Sequence, residues 1–179
     1  MTDEADRARL LQIARAAITA HVMGGAAPGP GEPSLASRRG AAFVSIHKAG
    51  ELRGCIGHLE ADDFLTAVVA QCAVSAGTSD PRFPAIARDE LPQIEIELSL
   101  LGQFERIERP DEIEIGRHGL LVERGRQRGL LLPQVAVEWQ WDAATFLSQT
   151  CRKAGLPADA WQNGATVWRF EAEVFSEAH

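Results

Sequence analysis

AAFVSIHKAGELRGCIGHL, Ala41 to Leu59, is the stretch on which the reading of the fold turns. Two runs rich in apolar and β-branched residues flank Lys48-Ala49-Gly50-Glu51, so the stretch predicts an antiparallel hairpin. A period of two along the second run puts Arg53, Cys55 and Gly57 on one face and Leu52, Gly54 and Ile56 on the other. Arg53 and Cys55 are therefore expected as same-face neighbours. A cation beside a thiol lowers its pKa, and Gly54 and Gly57 would let a ligand or another backbone come close. Cysteine is also among the most buried residue types, and glycines in strands mark bulges or tight packing. The residues thus support two readings of Cys55, one reactive and one packed.

Upstream, Leu10, Ile13, Ala14, Ala17 and Ile18 recur at helical spacing between about Asp3 and Met23, with acidic residues at the start. GGAAPGPGEP (Gly24 to Pro33) ends that helix and opens a Gly/Pro-rich loop over 24–37. Downstream, Leu65, Val68, Val69, Cys72 and Ala76 form an apolar stripe that predicts a helix from Asp62 to about Ala76, with Asp62 as its cap. SDPRFPAI (Ser79 to Ile86) carries two prolines and reads as irregular.

IEIELSL (Ile94 to Leu100) alternates strictly, with Ile94, Ile96, Leu98 and Leu100 on the core face and Glu95, Glu97 and Ser99 opposite. GLLVERGRQRGLLL (Gly119 to Leu132) reads as a second hairpin stopped by Pro133. Asp142 caps a third helix carrying Phe146, Leu147, Thr150, Cys151 and Ala154, and Gly155-Leu156-Pro157 matches a Schellman-type stop. A last strand is expected over Thr166 to Phe175. The sum is an α+β sandwich with a mixed, mainly antiparallel sheet, about three helices and two lobes, within a single domain over 1–179.

The composition narrows the function. Of 179 residues 45% are hydrophobic and 24% charged, as in ordinary globular proteins, and the formal net charge of -7 argues against a general nucleic-acid binder. No apolar run reaches the roughly 18 residues of a membrane span, and MTDEADRARL is not a basic flank, so a cytoplasmic protein is expected. Three widely spaced cysteines, Cys55, Cys72 and Cys151, argue against a disulfide framework.

Other chemistry has weaker support. His58 and His118 are the candidate bases for a Cys55 nucleophile, His58 on the opposite strand face and His118 in GRHGL at a strand entrance. Cys55 and His58 form a C-x-x-H pair, but zinc needs further ligands and no second pair stands at ligand spacing, so no metal is expected. Glu95 and Glu97 read as a solvent-facing pair, and the Arg124, Arg126 and Arg128 tip as a solvated turn.

LRGCIG, DPRFP, IEIELSLL, GRHGL, GLLLPQV and the Trp141 to Pro157 stretch occur in this order in the AMMECR family, which the chain resembles over nearly its whole length. Prokaryotic members of that family are called AmmeMemoRadiSam system protein A. The resemblance implies a two-lobed α+β domain and association with a Memo-like protein, similar to extradiol dioxygenases, and a radical-SAM protein; it implies no particular reaction. The family's RGCIG motif falls on Arg53, Gly54, Cys55, Ile56 and Gly57, its next motif on Asp80, Pro81, Arg82 and Phe83, and His118 matches, whereas His58 lies outside the pattern. Two functions follow as expectations. One is a small-molecule or thiol-chemistry cleft in which Cys55 and His118 react and Arg53, Gly54, Gly57, Asp80 and Arg82 bind. The other is a non-catalytic adaptor for Memo-like and radical-SAM partners.

Overall fold

In the computed structural model, which describes residues 2–26, 29 and 33–177, the first hairpin forms as β1 (Ala41–Lys48) and β2 (Glu51–His58). Its two-residue turn places both Ala49 (φ 53°) and Gly50 (φ 80°) in the left-handed region, which matches the twist of the flanking strands. β1 also pairs antiparallel with β3 (Ile94–Leu101), and β8 (Ala172–Ser176) completes a four-stranded sheet of order β2-β1-β3-β8.

Two helices cover one face of that sheet, α1 (Glu4–Met23) and α3 (Leu65–Thr78). The stripe of α1 is buried as its spacing predicts; Asp3 caps its start by accepting the Asp6 N–H at 2.8 Å, and Gly24 ends it at φ 76°. Ala42, Val44 and Ile46 of β1 and the four alternating apolar residues of β3 meet these helices. Helix packing is close enough that a Cβ on Gly77 would lie 2.2 Å from Ile18 Cδ1. A short helix, α2 (Pro33–Ala36), falls inside the predicted Gly/Pro loop, of which 27, 28 and 30–32 lie outside the described residues.

The contacts divide the chain into two compact units, Met1–Leu101 with Glu173–His179, and Gly102–Ala172. In the second, β4 (Glu105–Ile107), β5 (Gly119–Arg124), β6 (Gln127–Leu131) and β7 (Thr166–Phe170) form a sheet of order β4-β7-β5-β6. The β5–β6 hairpin forms as predicted, turning at Gly125 (φ 63°). After it come α4 (Pro133–Glu138) and α5 (Ala143–Lys153), and the core gathers Leu120, Val122, Phe146, Leu147, Cys151 and Val167. Asp142 accepts the Thr145 N–H at 2.8 Å; Leu156 N–H reaches Cys151 O and Gly155 N–H reaches Arg152 O, which is the Schellman pattern.

Five expectations change. The second long helix starts at Leu65 rather than Asp62, because both aspartates that could cap it are diverted: Asp62 bonds the His58 ring at 2.7 Å and Asp63 takes the Phe64 N–H. Pro133 opens α4 at its first turn as well as stopping β6, since a missing N–H is harmless there. The predicted last strand is two strands, β7 and β8, in different sheets and separated at Glu171. Ser99, on the supposedly solvated face of β3, is only 1% exposed.

The fifth correction concerns β2 itself. Ile46 pairs with Gly54 but His47 pairs with Leu52, so Arg53 is an unpaired extra residue in a β-bulge. Leu52 consequently stands opposite His47, on the face that Cys55 shares, and the uninterrupted alternation of Arg53 with Cys55 does not hold.

Ala49 is a left-handed non-glycine residue in a turn whose geometry favours glycine or asparagine, at a cost of roughly 1 kcal/mol. Ala49→Gly is expected to raise the unfolding free energy by up to about that amount, measured by urea denaturation, with no change in fold.

Candidate functional site

β2 is the outer strand of its sheet, so its outward backbone groups need partners from elsewhere in the chain. Asp80 supplies one. It follows the C-cap residue of α3, Ser79, and its Oδ2 accepts the Cys55 N–H at 3.0 Å. Its Oδ1 takes the backbone N–H and Nε of Arg82, both at 3.0 Å, while Oδ2 takes Arg82 Nη2 at 2.8 Å. The Asp80 side chain is 2% exposed and that of Arg82 56% exposed, so Asp80 is a buried anchor with a surface cation clamped to it. The Arg82 bonds above all, helped by the Cys55 and Arg82 N–H groups, hold the Asp80 carboxyl far below the usual carboxylate range against the opposing effect of burial.

The bulge residue is tied down separately. Arg53 makes a two-pronged pair with Glu90, Nε to Oε1 at 3.2 Å and Nη2 to Oε2 at 3.1 Å, and its Nη1 reaches Pro84 O at 2.7 Å. Glu90 also accepts the Ala87 N–H at 2.9 Å and Lys48 Nζ at 3.0 Å. That backbone donor, followed by Arg53, lowers the Glu90 pKa to about 2. The segment from Asp80 to Glu90 is thus fastened to β2 at both ends, by Asp80 to Cys55 and by Arg53 to Glu90 and Pro84.

The glycines of the motif mark close approaches. A Cβ on Gly54 would lie 2.0 Å from Ala76 O near the end of α3, and one on Gly57 would lie 2.5 Å from the Phe43 ring. Between them Cys55 is half-buried, and the β1 register places Ser45 opposite it, with Ser45 Oγ donating to Sγ at 3.2 Å. Arg82 is electrostatically coupled to Cys55: its pKa is raised chiefly by the Asp80 bond and to a smaller extent by charge on Cys55. Cys72 and Cys151 are buried thiols; burial pushes Cys72 up to about 11, with a smaller contribution from Cys55, and burial likewise raises Cys151.

An AMMECR1 family model matches residues 11–175. The chain belongs to the AMMECR1 family. It is 42% identical over 188 aligned residues to a protein of Methanosarcina acetivorans, covering 99% of this chain and 94% of that one. A relative in Methanothermobacter thermautotrophicus is 46% identical, with 94% and 92% covered. Among solved structures, an uncharacterised protein from Pyrococcus horikoshii superposes with a TM-score of 0.92 at 36% identity, over 99% of this chain and 94% of that one.

Arg53, Gly54, Cys55, Gly57, Asp80 and Arg82 of this AMMECR1 chain all come together around β2 in the first unit. His118 belongs to the second unit, where its Nδ1 accepts the Glu114 N–H at 2.9 Å. His58 stays on the opposite face of β2 from Cys55 and bonds Asp62, so the C-x-x-H pair does not converge. Among the described residues no cluster of three or more His, Cys, Asp or Glu could hold a metal, and no helix is long and apolar enough to cross a membrane. Ser45 is the site residue the sequence did not single out: without the bulge, the turn pairs it with Gly54 instead of Cys55.

Asp80 and Glu90 are depressed carboxyls, so their contribution to stability is complete above the unfolded values near 4 and is lost as pH falls through the folded ones. Urea denaturation from about pH 5 down to about pH 2 is expected to show falling stability, with a shallower slope in Glu90→Gln. At neutral pH Asp80→Ala is expected to cost about 1–3 kcal/mol from the orphaned Cys55 N–H alone, and Asp80→Asn, which retains an acceptor oxygen, less.

Proposed function

We propose that this AMMECR1 chain is a cytoplasmic protein whose Asp80 loop and β2 form a thiol site for a small anionic molecule. In this reading Cys55 is the nucleophile. Its proton passes to solvent, and the thiolate sulfur adds to the electrophilic carbon of a polarised C=O or C=C bond in the bound molecule, the π electrons moving to the far atom, which takes a proton from solvent. Arg82 favours the thiolate and receives the anionic group, and Ser45 donates to the sulfur. Asp80 holds Cys55 and Arg82 to one carboxylate, while Arg53, Gly54 and Gly57 fix the strand that carries the thiol. The observation that carries the reading is this double attachment: one buried carboxylate holds both the backbone of a half-buried cysteine and the guanidinium of a half-exposed arginine.

The test is the pH dependence of Cys55 alkylation in a Cys72→Ser, Cys151→Ser background, followed by mass spectrometry. An apparent pKa below the ordinary value near 8.5, moving back toward it in Arg82→Ala, is the expected result. A value at or above 8.5, or no labelling of the native protein, overturns the thiol reading.

A second reading, an adaptor for Memo-like and radical-SAM proteins, is favoured by a different observation. Arg53, Gly54, Gly57 and Asp80 each have a demonstrable task in holding β2, leaving Arg82 as the motif's exposed charge. Co-purification with those partners is expected on this reading, with loss of the complex in Arg82→Ala. Gel filtration and pull-down showing no complex with either partner would remove it.

A further inference from the structure

The Gly102–Ala172 unit holds a cavity of ≈ 360 Å³ whose polar walls are Gln103, Glu105, Arg117, His118, Arg169 and Glu171. That volume is at the low end of the roughly 300–1,000 Å³ seen for small-molecule sites. The histidine in its wall is fixed. His118 is 8% exposed, and because its Nδ1 accepts the Glu114 N–H, the neutral ring must carry its proton on Nε2. Nε2 makes no hydrogen bond among the described residues, so a donor of defined direction is left for a ligand.

The loop that presents this ring is shaped for it. Gly116 adopts φ 91°, and a Cβ on Gly119 would lie 2.3 Å from the Phe170 ring, so the two glycines flanking Arg117-His118 permit a turn and a close approach that side chains would block. Both arginines are also held in place. Arg169 donates to Glu105 at 2.9 Å and to Glu112 O at 2.6 Å; Arg117 pairs with Glu171 and with Glu114 at 3.2 Å.

The charges decide the ligand class. Two guanidinium groups and two carboxylates line the cavity, and their formal charges cancel. A simple anion would meet Glu105 and Glu171 along with the arginines, and a simple cation the reverse, whereas a molecule carrying both charges finds a partner for each. At the imidazole itself burial is the main effect lowering the pKa, followed by Arg169 and Arg117, with Glu171 and Glu114 opposing.

We propose that this cavity is a binding site for a free α-amino acid or close zwitterionic relative, its carboxylate accepting from His118 Nε2–H and Arg117 and its ammonium donating to Glu105 or Glu171. The site uses only residues of the 102–172 unit and stands independently of the thiol reading. The probes are the individual free α-amino acids at millimolar concentration, tested on the full chain by thermal shift and calorimetry. For every hit, the acid lacking the amino group and the amine lacking the carboxylate are run beside it.

At least one amino acid is expected to raise the melting temperature saturably, with both truncated analogues ineffective. His118→Ala is expected to weaken that binding about tenfold or more, as loss of a hydrogen bond to a charged group implies. Arg117→Met alters a largely exposed side chain, so it keeps the test valid if the buried histidine variant fails to fold; it too is expected to weaken binding. No saturable hit, equal binding of an analogue lacking either charge, or unchanged binding in Arg117→Met overturns the proposal.

Discussion

The hydrogen bond from the Cys55 N–H to the Asp80 carboxylate is the constraint around which the first unit is organised. An edge strand with unsatisfied donors invites pairing with other chains, and here a buried side chain closes one of those donors instead of a further strand. The bond can form only because α3 ends where it does, delivering Asp80 beside β2, and because Gly54 lets the helix end come near the strand. Helix length, motif glycine and loop aspartate are therefore parts of one arrangement.

Arg82 and Arg53 occupy contrasting places in it. Both are arginines held by a carboxylate through more than one nitrogen, yet Arg53 is sunk into its pair with Glu90 while Arg82 leaves more than half its side chain in solvent. A paired guanidinium with remaining donors and an open face is suited to receive a further anion; one whose three nitrogens are all spent on the chain serves to hold the loop. The same distinction separates the signature arginine that holds β2 to its loop from the one that keeps its charge at the surface.

Much of this was legible in the residues alone, and the failures share a cause. The alternating apolar face of Ile94–Leu100 and the helical stripes of α1, α3 and α5 are local patterns, and they read correctly because burial repeats with the backbone's own period, Ser99 on the opposite face being the exception. The α5 stop read correctly because Gly155 and Leu156 encode it within three residues. What escaped depends on distant partners. The bulge at Arg53 is held by Glu90 and Pro84, more than thirty residues along the chain, and it changes the register that sets Ser45 against Cys55. Asp62 looked like a helix cap because its competitor, His58, precedes it on another element. The continuous alternation across Thr166 to Phe175 concealed a change of sheet because both halves are genuine strands. The gathering of Arg53, Cys55, Asp80 and Arg82 was foreshadowed by motif identity, whereas their division into anchors and exposed groups required coordinates.

The second unit is inserted between β3 and β8, so the first is discontinuous in sequence. β8 and the residues after it make bonds that nothing earlier in the chain can replace: Glu173 accepts from Thr2 and Arg7, and Glu177 accepts from Arg15 and the Ile96 N–H. During synthesis, residues 102–172 are complete while the sheet begun before them still lacks its outer strand, β8. Until β8 emerges and pairs, the β3 edge is open and depends on remaining apart from other nascent chains.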